Sequence, residues 1–74
     1  MRPFYTATQP FGVTGREAQI MDLMTVHGNV KLVARELGLS PKTIDNTFER
    51  TRDRMGITNR VLAILTWDRM RRTA

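Results

Sequence analysis

The sequence predicts an all-α fold of four short helices, and three observations carry that prediction. Apolar residues recur at helical spacing in four successive segments. Residues that start and stop helices bracket each segment. No stretch alternates apolar and polar with period two, so no strand is expected. The 74 residues suffice for one domain, and 41% hydrophobic residues suffice for a small core. A chain this short buries only about 60% of its unfolded surface and gains from a partner.

The first helix is expected at about 15–27. Thr14 followed three residues later by Glu17 forms a capping box, with Val13 and Ala18 at the staple positions. Ile20, Met21, Leu23 and Met24 make the apolar stripe. Gly28 can then take the left-handed position that ends a helix. Asn29 can cap a second helix at roughly 30–37, where Val30, Val33, Ala34 and Leu37 fall at i, i+3, i+4 and i+7. Gly38 ends it, and Leu39 is the apolar residue of the turn. Ser40 as cap and Pro41 at the first helical position start a third helix, about 41–55. Its Ile44, Phe48 and Met55 fall within about 40° of one another at 100° per residue. Gly56 stops it.

Thr58 is expected to cap the fourth helix, which carries Val61, Leu62, Ala63, Ile64, Leu65, Trp67 and Met70. Val61 and Ile64 fit its inward stripe, while Leu62, Leu65 and Arg69 lie on another side. Residues 1–12 hold Pro3, Pro10 and Gly12 without helical period and are expected to be a flexible arm, leaving 13–74 as the domain. In that arm Phe4, Tyr5 and Phe11 can fold back on the core, and Arg2 can touch a bound partner.

Charge narrows the function. Twelve Lys/Arg against seven Asp/Glu give +5, and ten of the cations are Arg, the side chain that forks onto phosphate and guanine. Such a surplus in a small domain points to a polyanion or an acidic membrane surface. Without cysteine there is no disulfide framework and no thiolate metal site. The single histidine, His27, is expected to meet the last carbonyls of the first helix. No nucleophile–base pair or metal cluster can be assembled, so neither catalysis nor a cofactor is expected. No apolar run of about 18 residues exists, and residues 1–5 lack a signal-peptide pattern. The expected compartment is the cytoplasm, at the nucleoid, with no membrane partner. The five Met residues read as core filler.

The second and third helices are separated by Gly38-Leu39-Ser40, the short turn of a helix-turn-helix, whose second helix enters a major groove. Ala34 is small enough to let the two helices approach closely. With Ile44, Phe48, Thr51 and Met55 inward, the residues pointing most nearly opposite are Lys42, Asn46, Glu49, Arg50 and Asp53. Candidate base contacts are Asn46 to adenine, Lys42 to guanine or a phosphate, and Asp45 and Glu49 to cytosine N4. For the two acids the alternative is a solvated helix flank. Candidate phosphate contacts are Thr14, Thr43, Arg50 and Arg54, the last having an acid within the fold as its alternative. Arg69, Arg71 and Arg72 form a basic tail, either solvated or a further phosphate contact.

Three stretches carry a family resemblance: Val13-Thr14-Gly15-Arg16-Glu17; Val33-Ala34-Arg35-Glu36-Leu37-Gly38-Leu39-Ser40-Pro41-Lys42-Thr43-Ile44-Asp45-Asn46; and Arg54-Met55-Gly56-Ile57-Thr58-Asn59-Arg60-Val61. Together with Ile20-Met21-Asp22-Leu23 they make residues 13–67 similar to the LuxR/GerE-type DNA-binding domain. The resemblance implies a four-helix domain that binds double-stranded DNA as a homodimer, with the third helix reading bases and the fourth pairing subunits. Leu62, Leu65 and Arg69 are then the expected dimer interface, and Trp67 closes the core or joins that interface. His27-Gly28-Asn29-Val30-Lys31-Leu32 departs from the family's usual run and looks more like the Fis-type helix-turn-helix. Thr47 stands where the family commonly has His, and Thr51 where it has an apolar residue. A free-standing regulator of prokaryotic or phage origin, without a receiver or ligand-sensing domain before the motif, is expected. The alternative is a small protein-binding module whose fourth helix pairs with a LuxR-type regulator or RNA polymerase.

Overall fold

Helix ends leave backbone N–H and C=O groups unpaired, and here side chains and glycines supply the missing partners. The computed structural model describes residues 12, 13 and 15–73. Four helices follow in order: α1 (Gly15–His27), α2 (Val30–Leu37), α3 (Pro41–Met55) and α4 (Arg60–Thr73). No strand occurs among the described residues. Thr14 and residues 1–11, with Arg2, Phe4, Tyr5 and Phe11, lie outside the described residues, and with them the expectation of a flexible arm. Val13 and Ala18, the two staple residues, are both buried.

The Asn29 side chain accepts from the N–H of Lys31 and Leu32 and caps α2. Gly38 ends that helix at φ 68°, a left-handed conformation a β-carbon would strain, and its N–H reaches the carbonyls of Ala34 and Arg35. Ser40 Oγ accepts from Thr43 N–H at 3.1 Å and shares a further hydrogen bond with Thr43 Oγ1 at 2.9 Å. With Pro41 next, this fixes where α3 leaves the turn. Ser40→Ala is expected to cost about 1 kcal/mol and lower Tm by about 4–8 °C. Thermal unfolding followed by circular dichroism checks this, with Ser40→Gly expected to cost only a few tenths of a kcal/mol.

The start of α4 corrects one expectation. Asn59, not Thr58, is the cap: its Oδ1 accepts from Leu62 N–H at 2.9 Å, and its carbonyl accepts from Ala63 N–H at 2.9 Å. Thr58 instead offers its carbonyl to Arg52 Nη1 at 2.9 Å. Both residues are cap formers, and the planar amide of Asn59 reaches the N–H three residues on.

The core joins all four helices. Trp67, Phe48, Ile20, Met21, Ile44 and Val33 are fully buried, with Ala18, Ala34 and Ala63 letting backbones approach. Leu37 and Leu39 pack against this core from the α2–α3 turn. Met21, Met24 and Met55 fill it, as their spacing suggests. On α4 the inward face is Ala63 and Trp67, with Ile64 at its margin. Val61, expected inward, is 65% exposed. Trp67 sets this phase: its indole Nε1 donates to Asp22 Oδ1 at 2.8 Å, which turns Val61 toward solvent. Arg71 Nη2 reinforces the seam by donating to Thr25 Oγ1 at 3.4 Å, and within α4 it donates to Asp68 Oδ1 at 2.8 Å.

The hydrogen bond from Arg71, with help from the charge of Arg72, lowers the Asp68 pKa below its ordinary value. That clip therefore contributes above the usual carboxylate range and is lost as pH falls through the lowered value. Arg71 and Arg72 are thus tied to Asp68 within α4.

His27 departs from expectation too. Its Nε2 lies 2.9 Å from Glu36 Oε1, bridging α1 to α2 rather than closing its own helix end. The partner is an acid brought alongside by the packing of α1 on α2, which local reading does not see.

Candidate nucleic-acid interface

The α2–α3 pair is a helix-turn-helix in geometry. The turn Gly38–Ser40 returns the chain so that Val33 and Ala34 of α2 share a core with Ile44 and Phe48 of α3. One face of α3 is buried: Ile44, Thr47, Phe48, Thr51 and Met55. The two threonines belong there because their polar atoms are satisfied. Thr51 Oγ1 donates to the Thr47 carbonyl at 2.9 Å, and Thr47 Oγ1 accepts from Arg50 Nη2 at 3.4 Å.

The opposite face is Lys42, Asn46, Glu49, Arg50 and Asp53, all exposed. Lys42 and Asn46 occupy its first turns. Lys42, Glu49 and Asp53 enter no ion pair among the described residues. Thr43 is exposed beside the Ser40 cap. Of the remaining sequence candidates, the structure sets two apart from this face. Asp45 lies on its flank and receives Arg60 Nη2 at 2.9 Å. Arg54 is gripped by Glu17, Nη1 donating to Oε1 at 2.9 Å and Nη2 to Oε2 at 3.1 Å, and Nη1 also donates to the Gly12 carbonyl at 3.2 Å. Arg54 thus takes the acid within the fold, a fork-to-fork pair that ties α3 to the start of α1.

These pairings occupy five of the seven acids and leave several cations outside any ion pair among the described residues. Glu17, Asp22, Glu36, Asp45 and Asp68 each face an arginine or histidine within the fold. Arg16, Lys31, Arg35 and Lys42 are exposed and enter no ion pair among the described residues. Lys31 and Arg35 stand at i, i+4 on the outer side of α2, the helix that crosses the backbone in such motifs. Their spacing is visible in the sequence, but their exposure on this side of α2 is a property of the packed fold. Among the described residues no group of three or more His, Cys, Asp or Glu is placed to hold a metal ion, and no helix is long and apolar enough to cross a membrane.

Away from α3, the outer side of α4 exposes Val61, Leu62 and Leu65, at 65%, 52% and 56%. At 100° per residue Arg69 falls on the same side. Trp67 is in the core, which decides between its two expected places.

A capped helix-turn-helix with one buried and one polar, cation-bearing face defines the class: a DNA-binding domain of regulatory proteins. The chain belongs to the luxR family of bacterial regulatory proteins, whose GerE model matches residues 12–67. Comparison with curated proteins and with solved structures gave no match. The four helices without strand agree with the all-α domain that the resemblance implied, and the family is one of DNA-binding transcription regulators.

Proposed function

We propose that this chain, folding as a unit over residues 13–74, binds specific double-stranded DNA as a homodimer, with α3 in the major groove. The observation that carries the reading is the outer face of α3. Lys42 and Asn46 stand exposed in the turns that meet base edges, on a helix whose other face is locked into the core. Asn46 offers the amide pair that matches adenine N6 and N7, Lys42 reaches guanine, and Glu49 can accept from cytosine N4. Thr14, Thr43 and Arg50, joined by Lys31 and Arg35 on α2, address phosphates.

The dimer is supported by the exposed Val61, Leu62 and Leu65 of α4, an apolar stripe on a very small domain. A two-fold pair through that stripe places two α3 helices about 34 Å apart on a near-palindromic site. The test is selection of bound sequences from a random duplex library, which reads site, spacing and symmetry together. Two half-sites at one helical turn are expected. Unselective recovery sinks the specific reading.

Two results follow for binding. Affinity falls with salt at a log–log slope of roughly −4 to −8 for the dimer, at about −0.9 per phosphate neutralised. A flat response in an anisotropy titration contradicts it. Asn46→Ala costs about 1–3 kcal/mol per half-site and relaxes preference at one base pair, whereas Arg50→Ala weakens all sequences alike. Repeating the selection with each variant separates these outcomes, and the reverse pattern defeats the assignment.

A further inference from the structure

A helix lying in a major groove about 12 Å wide has a phosphate strand on each side. The outer face of α3 is bracketed unequally by its own residues. Arg50 stands on one flank. At 100° per residue the other flank carries Asp45 and Arg52. Asp45 repels phosphate, and Arg52 is turned away to the Thr58 carbonyl at 2.9 Å. On that deficient flank α4 delivers its first residue. Arg60 Nη2 donates to Asp45 Oδ1 at 2.9 Å, and its guanidinium lies 5.1 Å from the centroid of the Phe48 ring. Phe48 is fully buried, so the ring is an immobile platform. Both members of the ion pair remain partly open to solvent, at 47% for Arg60 and 39% for Asp45. A guanidinium carries five N–H donors, and this pair uses one of them.

The geometry points to Arg60 as the DNA phosphate contact on the second flank of α3, held in place by Asp45 and the Phe48 ring. Asp45 is then the tether of that arginine and not a reader of cytosine. A preset cation loses less side-chain freedom on meeting phosphate than a free one. The carboxylate charge is neutralised before the duplex arrives, which removes the objection to an acid beside the groove. The inference rests on the DNA-binding reading above and adds to it a contact from outside the helix-turn-helix.

The experiment compares wild type, R60Q, R60K, D45N and the R60Q/D45N double variant on a mixed-sequence duplex over a range of salt, with folding followed by circular dichroism. R60Q is expected to bind with a salt slope shallower by about 0.9 per protomer and with the same selected sequence as wild type. R60K keeps the slope. D45N keeps both the slope and the base preference, and does not rescue R60Q. An unchanged slope in R60Q overturns the contact. Full rescue of R60Q by D45N overturns it as well, because Arg60 would then only mask Asp45. A change of selected base in D45N overturns the tether and returns Asp45 to base reading. Absence of duplex binding by wild type overturns the DNA-binding reading itself, and this inference with it. A second measurement needs no variant: ethylation interference on wild type is expected at phosphates on both strands bracketing each half-site. Interference on one strand alone is the contrary result.

Discussion

Leu65→Glu is expected to leave the helices folded, to make the chain monomeric and to weaken DNA binding by at least about 100-fold. Leu65 is 56% exposed, so the substitution removes little core packing. Glu has nearly the helix propensity of Leu, and Arg69 stands four residues on, where an opposite charge is favourable. Folding therefore has little to lose. A two-fold contact, in contrast, meets the change twice, bringing two carboxylates face to face in an apolar stripe. Each half-site alone offers few contacts, and joining two of them multiplies affinity by about 10²–10⁴. Sedimentation, circular dichroism and a gel shift together read the result. Unfolding would mean that residue 65 serves the core. A variant that stays dimeric and binds normally would move the interface elsewhere, with the aromatic residues Phe4, Tyr5 and Phe11 the next place to look. A wild-type chain that is monomeric and binds no DNA would favour pairing with another regulator or polymerase.

The second large effect is on stability. Trp67→Ala is expected to cost about 3–5 kcal/mol, which is most of what a domain this small possesses. Trp67 is the largest fully buried side chain and meets the core from α4. Its truncation opens a cavity among alanine-spaced helices that have little room to collapse. It also strips Asp22 Oδ1 of its closest donor, leaving Arg71 Nε at 3.7 Å. Trp67→Phe keeps most of the volume and loses that hydrogen bond with a smaller packing term, at about 1–3 kcal/mol. Urea titration followed by circular dichroism ranks the three proteins, and equal loss in both variants would assign the whole effect to the indole N–H.

The element boundaries were legible because they rest on local chemistry. Asn29, Ser40, Gly38 and Gly56 act within a turn of where they stand, and each ends or starts a helix as its type requires. The buried face of α3 was legible too, since four of its five residues recur at one helical phase. The phase of α4 was not. Apolar residues surround that helix, so periodicity offers several inward faces. The choice falls to Trp67 and Asp22, which are 45 residues apart. Likewise the partners of His27, Arg54 and Asp45 lie on other helices, and no spacing within one helix announces them. Charges of opposite sign were visible, but which of them meet is a property of the packed molecule.

The Asp22–Trp67 seam binds α4 chiefly to α1, and α4 touches α3 at few positions. In the paired form proposed above, the distance between the two reading helices is therefore relayed through the α1 frame, like the span of a caliper fixed at its pivot and not at its tips. Half-site sequence and half-site separation become separate heritable characters. In that proposed form, substitutions on the outer face of α3 are expected to change the letters of the operator, and substitutions along the α1–α4 seam its spacing.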